Sequence, residues 1–150
     1  MSVRGDSSLQ WQLSWLEEGA VLLVECTGVL DAPGTIGLVD AITADPRVVP
    51  VRACITDVRA VDFSQMDAAT MRALAAGRAG APLASSEEGR VAIVVSSRRA
   101  YGLAKMYAAL SAAVRAPGRF EVFREVDDAL AWAGVSLQAS AAAAPPAPAV

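Results

Sequence analysis

Five short apolar runs, at 9–15, 21–26, 51–58, 91–95 and 120–123, are spaced by segments whose apolar residues recur at helical intervals. This alternation constrains the fold more than any other feature of the chain. A strand, a crossover and a second parallel strand connect almost always with one hand, and repeating that unit builds a parallel sheet with helices packed on it. The first run is different in kind. Leu9, Trp11, Leu13 and Trp15 alternate with Gln10, Gln12 and Ser14, the period of two expected of a half-buried strand. Glu17-Glu18-Gly19 then makes a turn, and 21–26 is nearly continuously apolar, as for a strand covered on both faces. The two runs lie close enough in sequence to pair as an antiparallel hairpin.

The helical segments carry their own punctuation. Asp31-Ala32-Pro33 places a capping carboxylate beside a proline, with Ile36, Val39 and Ile42 as a short apolar stripe and Asp45-Pro46 as the stop. The strand at 51–58 closes with Asp57. Ser64-Gln65-Met66-Asp67 resembles a capping box with Asp in the place of Glu, and the helix it opens would carry Met71 and Leu74 inward. The run 91–95 is the most strand-like of all and is expected at the sheet centre. Ser96-Ser97-Arg98-Arg99 leads into a helix with Leu103, Met106, Tyr107, Leu110 and Val114 on one face, broken by Pro117-Gly118. A strand at 120–123 and a helix over 126–132, capped by Gly134, complete the order. The expected fold is α/β: β-β-α-β-α-β-α-β-α, a mixed, mostly parallel five-stranded sheet with four helices.

At 150 residues, 54% of them hydrophobic, the chain can build one ordinary core. The expected domain covers 8–135, between a flexible N-terminus at 1–7 and a disordered Ala/Pro-rich tail at 136–150. A net charge of -3 leaves no basic surplus for a diffuse grip on nucleic acid or anionic lipid. Histidine is absent, which removes every His-based base, triad and metal site. Cys26 and Cys54 have neither zinc-ligand spacing nor the density of a disulfide scaffold, and no apolar stretch approaches a membrane span. No metal or cofactor is expected, and the expected compartment is the cytoplasm.

In an open parallel sheet, ligands bind outside the carboxyl ends of the strands. Three segments fall there: 28–31, 57–64 and 96–99. Ser96, Ser97, Arg98 and Arg99 offer two hydroxyls, two guanidinium groups and free helix N–H donors, a set able to hold a phosphate or carboxylate. The commoner role for the two arginines is pairing with nearby acids or pointing into water. Ser64 could accept a phosphate at a helix start, although a cap needs only its hydroxyl. Asp57 and Asp62 could act as a carboxylate pair, but turn-forming and capping aspartates are far commoner. Tyr101, Met106 and Tyr107 are candidates for a ligand pocket or for plain core packing.

Three stretches resemble the SpoIIAA-like proteins. These are Arg90-Val91-Ala92-Ile93-Val94-Val95-Ser96-Ser97, then Tyr101-Gly102-Leu103-Ala104-Lys105-Met106-Tyr107, and the segment from Phe120 to Trp132. These proteins are related to STAS domains, the anti-sigma-factor antagonist fold, and are grouped with SEC14-like lipid-binding folds. The resemblance implies a small regulatory or interaction domain. It also implies a switch serine at the start of one helix, and in this chain that position falls on Met66, so the acceptor is missing.

The function expected is therefore a non-enzymatic, regulatory protein–protein interaction domain of a bacterial pathway, with Asp57, Asp62, Ser64, Arg98 and Arg99 as its contact surface. The alternative is a SEC14-like binder of a small apolar or anionic ligand, with a cavity of roughly 300 Å³ or more near Tyr101, Met106 and Tyr107. A homodimer through the edge strand bearing Trp11 and Trp15 is a further expectation; in the alternative, both indoles pack within their own chain.

Overall fold

The computed structural model describes residues 9–48, 51–77, 89–113 and 119–135. The expected tails at 1–7 and 136–150, the turn at 117–118, Val114 and the side chain of Leu74 lie outside the described residues and side chains. The elements are β1 (Gln10–Leu16), β2 (Val21–Val29), α1 (Ala32–Ala44), β3 (Ala53–Asp62), α2 (Ala68–Gly77), β4 (Arg90–Val94), α3 (Arg98–Ala113), β5 (Arg119–Phe123) and α4 (Val126–Trp132). This is the expected order.

The strands form one sheet in the order β1-β2-β3-β4-β5, with β1 antiparallel to β2 and every other pair parallel. Each crossover advances one strand in the same direction. Right-handed crossovers that all step one way must put their helices on one face. Leu38 of α1, Met71 of α2 and Leu103, Ala104 and Tyr107 of α3 accordingly share a core with Leu22, Val24, Cys26, Cys54 and Val91. Helix α4 instead folds back beneath the opposite face, where Ala129 and Leu130 pack on Val21, Ala53, Ile55, Ala92 and Val94. The sheet centre is β3, not the run at 91–95. Stepwise topology sets the middle strand, and apolarity does not.

The helix starts correct two expectations. In α1, Asp31 caps as expected, accepting from the Gly34 amide at 2.7 Å, but Leu38 is the buried residue and Ile36 is 53% exposed. Gly34 is needed there, because a Cβ would come within 2.9 Å of both Asp31 Oδ1 and Leu9 Cβ. In α2 the cap is Asp67, which accepts from the Thr70 amide at 2.7 Å, so Ser64 is not the capping residue. Met66 and Met71 occupy the two positions of a hydrophobic staple around that cap, and both are buried in the core.

The end of α4 is closed from two sides. Val135 N–H donates to Leu130 O and Gly134 N–H to Ala131 O, with Gly134 at φ +84°, the left-handed stop that glycine makes without strain. The guanidinium groups of Arg52 and Arg90 then donate to the Ala133 and Trp132 carbonyls. Cations at a helix C-terminus also answer its dipole. Both β1 indoles pack on their own chain's core, and the Arg47 guanidinium lies 3.9 Å from the Trp15 ring centroid.

Candidate functional site

The carboxyl end of the sheet is shaped by an irregularity in β3. Glu25 is opposite Asp57, but Thr27 is opposite Ala60, so β3 carries one extra residue in this interval. Asp57 and Val58, where the bulge begins, are both buried, as are Ala53, Cys54 and Ile55 before them, because β3 is covered on both faces. The bulge carries the strand past its expected end to Asp62. Pairing with β4 stops at Asp57–Val94, and the last residues, Ala60 to Asp62, pair with β2 alone. Asp57 is therefore a mid-strand residue and not the start of a loop.

Arg59, on the bulge, reaches back to Asp57 with three hydrogen bonds. Its backbone amide and Nε donate to Oδ1 at 3.1 and 2.9 Å, and Nη2 donates to Oδ2 at 2.8 Å. Burial pushes the Asp57 carboxyl up, but hydrogen bonds from the Arg59 side chain and amide, with its positive charge, outweigh this and hold it below the usual carboxylate range. Asp57 is 9% exposed, whereas the Arg59 side chain is 43% exposed. Arg59 was not among the expected site residues; its signal is the two-residue spacing from an aspartate within a strand.

Side chains tie the β4–α3 loop to the end of β3 and to the β3–α2 loop. Ser96 Oγ donates to the Arg59 carbonyl at 2.9 Å, and Arg99 Nη2 donates to the Met66 carbonyl at 2.6 Å. Ser97 Oγ accepts from the Ala100 amide at 3.0 Å and so caps α3. Of the four residues read as an anion cradle, Ser96, Ser97 and Arg99 already serve these internal bonds, while Arg98 is exposed. Between β3 and α2, the Ser64 amide donates to Asp62 Oδ1 at 2.8 Å, and the Met66 amide closes a turn onto the Phe63 carbonyl. Hydrogen bonds from Ser64 hold the Asp62 carboxyl below its usual range. Asp62, Ser64, Gln65, Asp67 and Arg98 are exposed along this rim. Met66 is only 1% exposed, with its side chain in the core and its carbonyl toward Arg99.

A cavity of about 110 Å³ lies between the sheet and helices α1 to α3. Tyr107 lines it, but Tyr101 and Met106 do not. Tyr101 instead sits beside the cations Arg124 and Lys105, 4.8 and 6.0 Å from its ring centroid. The volume is about a third of that expected. Among the described residues no three Cys, Asp or Glu side chains converge as metal ligands would, and no helix is long and apolar enough to cross a membrane.

The antiparallel first strand, the stepwise parallel sheet and the three helices on one face make this the SpoIIAA/STAS-like fold. Its five-stranded sheet and helices are similar to those of an anti-sigma factor antagonist from Mycobacterium paratuberculosis, at a TM-score of 0.56 and 21% identity, covering 85% of this chain and 96% of that one. They are also similar to an uncharacterised DUF3478-family protein with a SpoIIAA-like fold from Shewanella loihica PV-4. There the TM-score is 0.52 at 19% identity, covering 83% of this chain and 93% of that one. No family model matches the sequence, and no curated protein matches it.

Proposed function

We propose that this chain is a non-enzymatic, cytoplasmic regulatory domain that binds a protein partner through the rim formed by the β3–α2 and β4–α3 connections. The observation that carries this reading is the tie from Arg99 to Met66 across those two connections, with Ser96 fastening the β4–α3 connection to the end of β3. A polar edge fixed by side-chain bonds is organised before binding and loses little entropy when a partner arrives. Asp62, Ser64 and Arg98 supply contacts, and Asp57 acts by presenting Arg59. Arg99 both braces the rim and lies exposed on it. The description of one structural neighbour as an anti-sigma factor antagonist supports a partner of the regulatory kind. Control by phosphate at the α2 start is not part of the proposal, because Met66 holds that position in the core.

The test is affinity capture with crosslinking from the native host, comparing wild type with an Asp62→Lys, Ser64→Trp, Arg98→Glu variant and with a control, Arg47→Glu, elsewhere on the surface. Loss of one partner by about tenfold in the rim variant alone is the expected result. Equal recovery from all three proteins overturns the placement. A second reading, a binder of a small apolar or anionic ligand, is favoured by the cavity beneath the helices.

A further inference from the structure

We infer that the cavity between the sheet and helices α1 to α3 is a binding site for a small, neutral, mostly apolar molecule carrying one hydrogen-bonding oxygen, which the Tyr107 hydroxyl recognises. The inference deepens the ligand-binding reading, rests on it, and narrows its chemistry from apolar or anionic to neutral.

Tyr107 carries the argument. It lines the cavity, is 8% exposed, and its hydroxyl is shielded from solvent with no hydrogen-bond partner among the described residues. A buried phenol without a partner is costly, and such groups in native proteins nearly always meet a protein atom, a water or a ligand. The ring is held by its own packing, edge-on to Phe120 at 6.2 Å between centroids, so the hydroxyl is fixed in place. Two further hydroxyl-bearing residues, Thr35 and Thr56, line the same space. Thr35 Oγ1 donates to the Asp31 carbonyl and keeps lone pairs free to accept, and Thr56 Oγ1 lies 3.8 Å from the Cys54 sulfur.

Charge and size bound what fits. None of the described side chains lining the cavity is a cation or a carboxylate. Cys26, the thiol at its wall, is held protonated with its pKa pushed up to about 12, chiefly by burial. An anion would enter with no cation to pair it, and desolvating a charge without a counter-charge is prohibitive. The volume of about 110 Å³ is somewhat below the roughly 150 Å³ of an engineered apolar cavity that stays dry and binds benzene. One ring or a short chain is the scale; a lipid tail is not.

The experiment uses the full chain and three probes of similar size: phenol, toluene and benzoate. Binding is read from amide shifts of residues lining the cavity in titrations, for wild type and Tyr107→Phe. Saturable binding of phenol and toluene, with none of benzoate, is expected. Tyr107→Phe should weaken phenol by about threefold to tenfold, the worth of one hydrogen bond, and leave toluene within about twofold. Ala104→Leu, or Val39→Phe should that variant fail to fold, fills the space and should remove both. If no probe saturates in wild type, the cavity holds only water and the ligand-binding reading itself falls. If probes bind but phenol is indifferent to Tyr107→Phe, or benzoate competes, the site exists and the assignment of its chemistry is wrong.

Discussion

Arg99 and Met66 are joined by a guanidinium-to-carbonyl hydrogen bond of 2.6 Å, which pins the first turn of α3 to the residue just ahead of the α2 cap. Met66 thus serves twice, through a buried side chain and an anchored backbone. Placing a serine there does not make a switchable domain. Met66→Ser should destabilise the fold by about 3–5 kcal/mol, from lost burial, a cavity and a hydroxyl left among apolar groups. Met66→Leu should cost less than about 1.5 kcal/mol. Denaturant unfolding decides, and equal losses in both variants would mean that the side chain is not packed as described.

Removing the other partner tests the tie itself. Arg99→Ala should cost only about 1 kcal/mol, since its bond is near the surface. It should speed amide exchange at Met66 and in the first turn of α2 far more than in β2 or β3. Uniform acceleration across the sheet would show that Arg99 supports global stability and not the rim.

Asp57 gives the fold an acid-sensitive element. Its folded pKa lies below the unfolded value of about 3.9, so folding favours the ionised form. That stability is present above about pH 4 and is lost as pH falls through the lower, folded value. Asp57→Asn should therefore cost about 1–2 kcal/mol at neutral pH, with the deficit shrinking as both proteins are taken below pH 4. A deficit of the same size at pH 7 and pH 2.5 contradicts the pairing with Arg59.

The β1–β2 turn stores strain that can be relieved. Glu17 and Glu18 have φ of +50° and +57°, a region that costs a side-chain-bearing residue of the L series about 1 kcal/mol or more. Glu18→Gly should raise stability by about 0.5–1 kcal/mol, after allowing for the greater freedom of glycine in the unfolded chain. A lowered melting temperature would show that Glu18 makes a contact worth more than the strain.

Cys26 should be inert in the folded protein. Burial, with smaller contributions from Cys54 and Asp57, pushes its thiol up to about 12, above its unfolded value of about 8.5. The folded state thus favours the protonated thiol below about pH 8.5, and this stability is lost as pH rises towards 12. Iodoacetamide at pH 8 should label Cys26 only at the rate at which the structure opens. Rapid native labelling would contradict the burial.

Much of the fold was legible because its signals are local. The alternation of 9–15 defined β1, Asp31-Ala32-Pro33 marked the start of α1, and Gly134 sits at the stop it was assigned. Sequence and structure part where local signals compete. Ser64 and Asp67 both head plausible capping patterns, and the burial of Met66 and Met71 decides for Asp67. On α3 the inward face runs through Ala100, Leu103, Ala104 and Tyr107, so Met106 is only half-buried. Alanines set that phase, and a search for large apolar residues gives them no weight. The extension of β3 was hidden because Arg59 and Ala60 look like loop residues. Only pairing with β2 holds them in a strand, and pairing across the sheet is not written in a single run of sequence.

The extra residue in β3 has one consequence for how the chain tolerates change. Before it, Cys54, Thr56 and Val58 face the helices; beyond it, Val61 and Phe63 do. The step from 58 to 61 is odd where the pleat repeats every two residues. Deleting Arg59 would make that step even, the period of a regular pleat, so Val61 and Phe63 would keep their face while the partner of Asp57 would be lost. The extra residue thus sets a cation beside a buried carboxylate, and the bulge absorbs the odd step so that the rim stays in phase with the core.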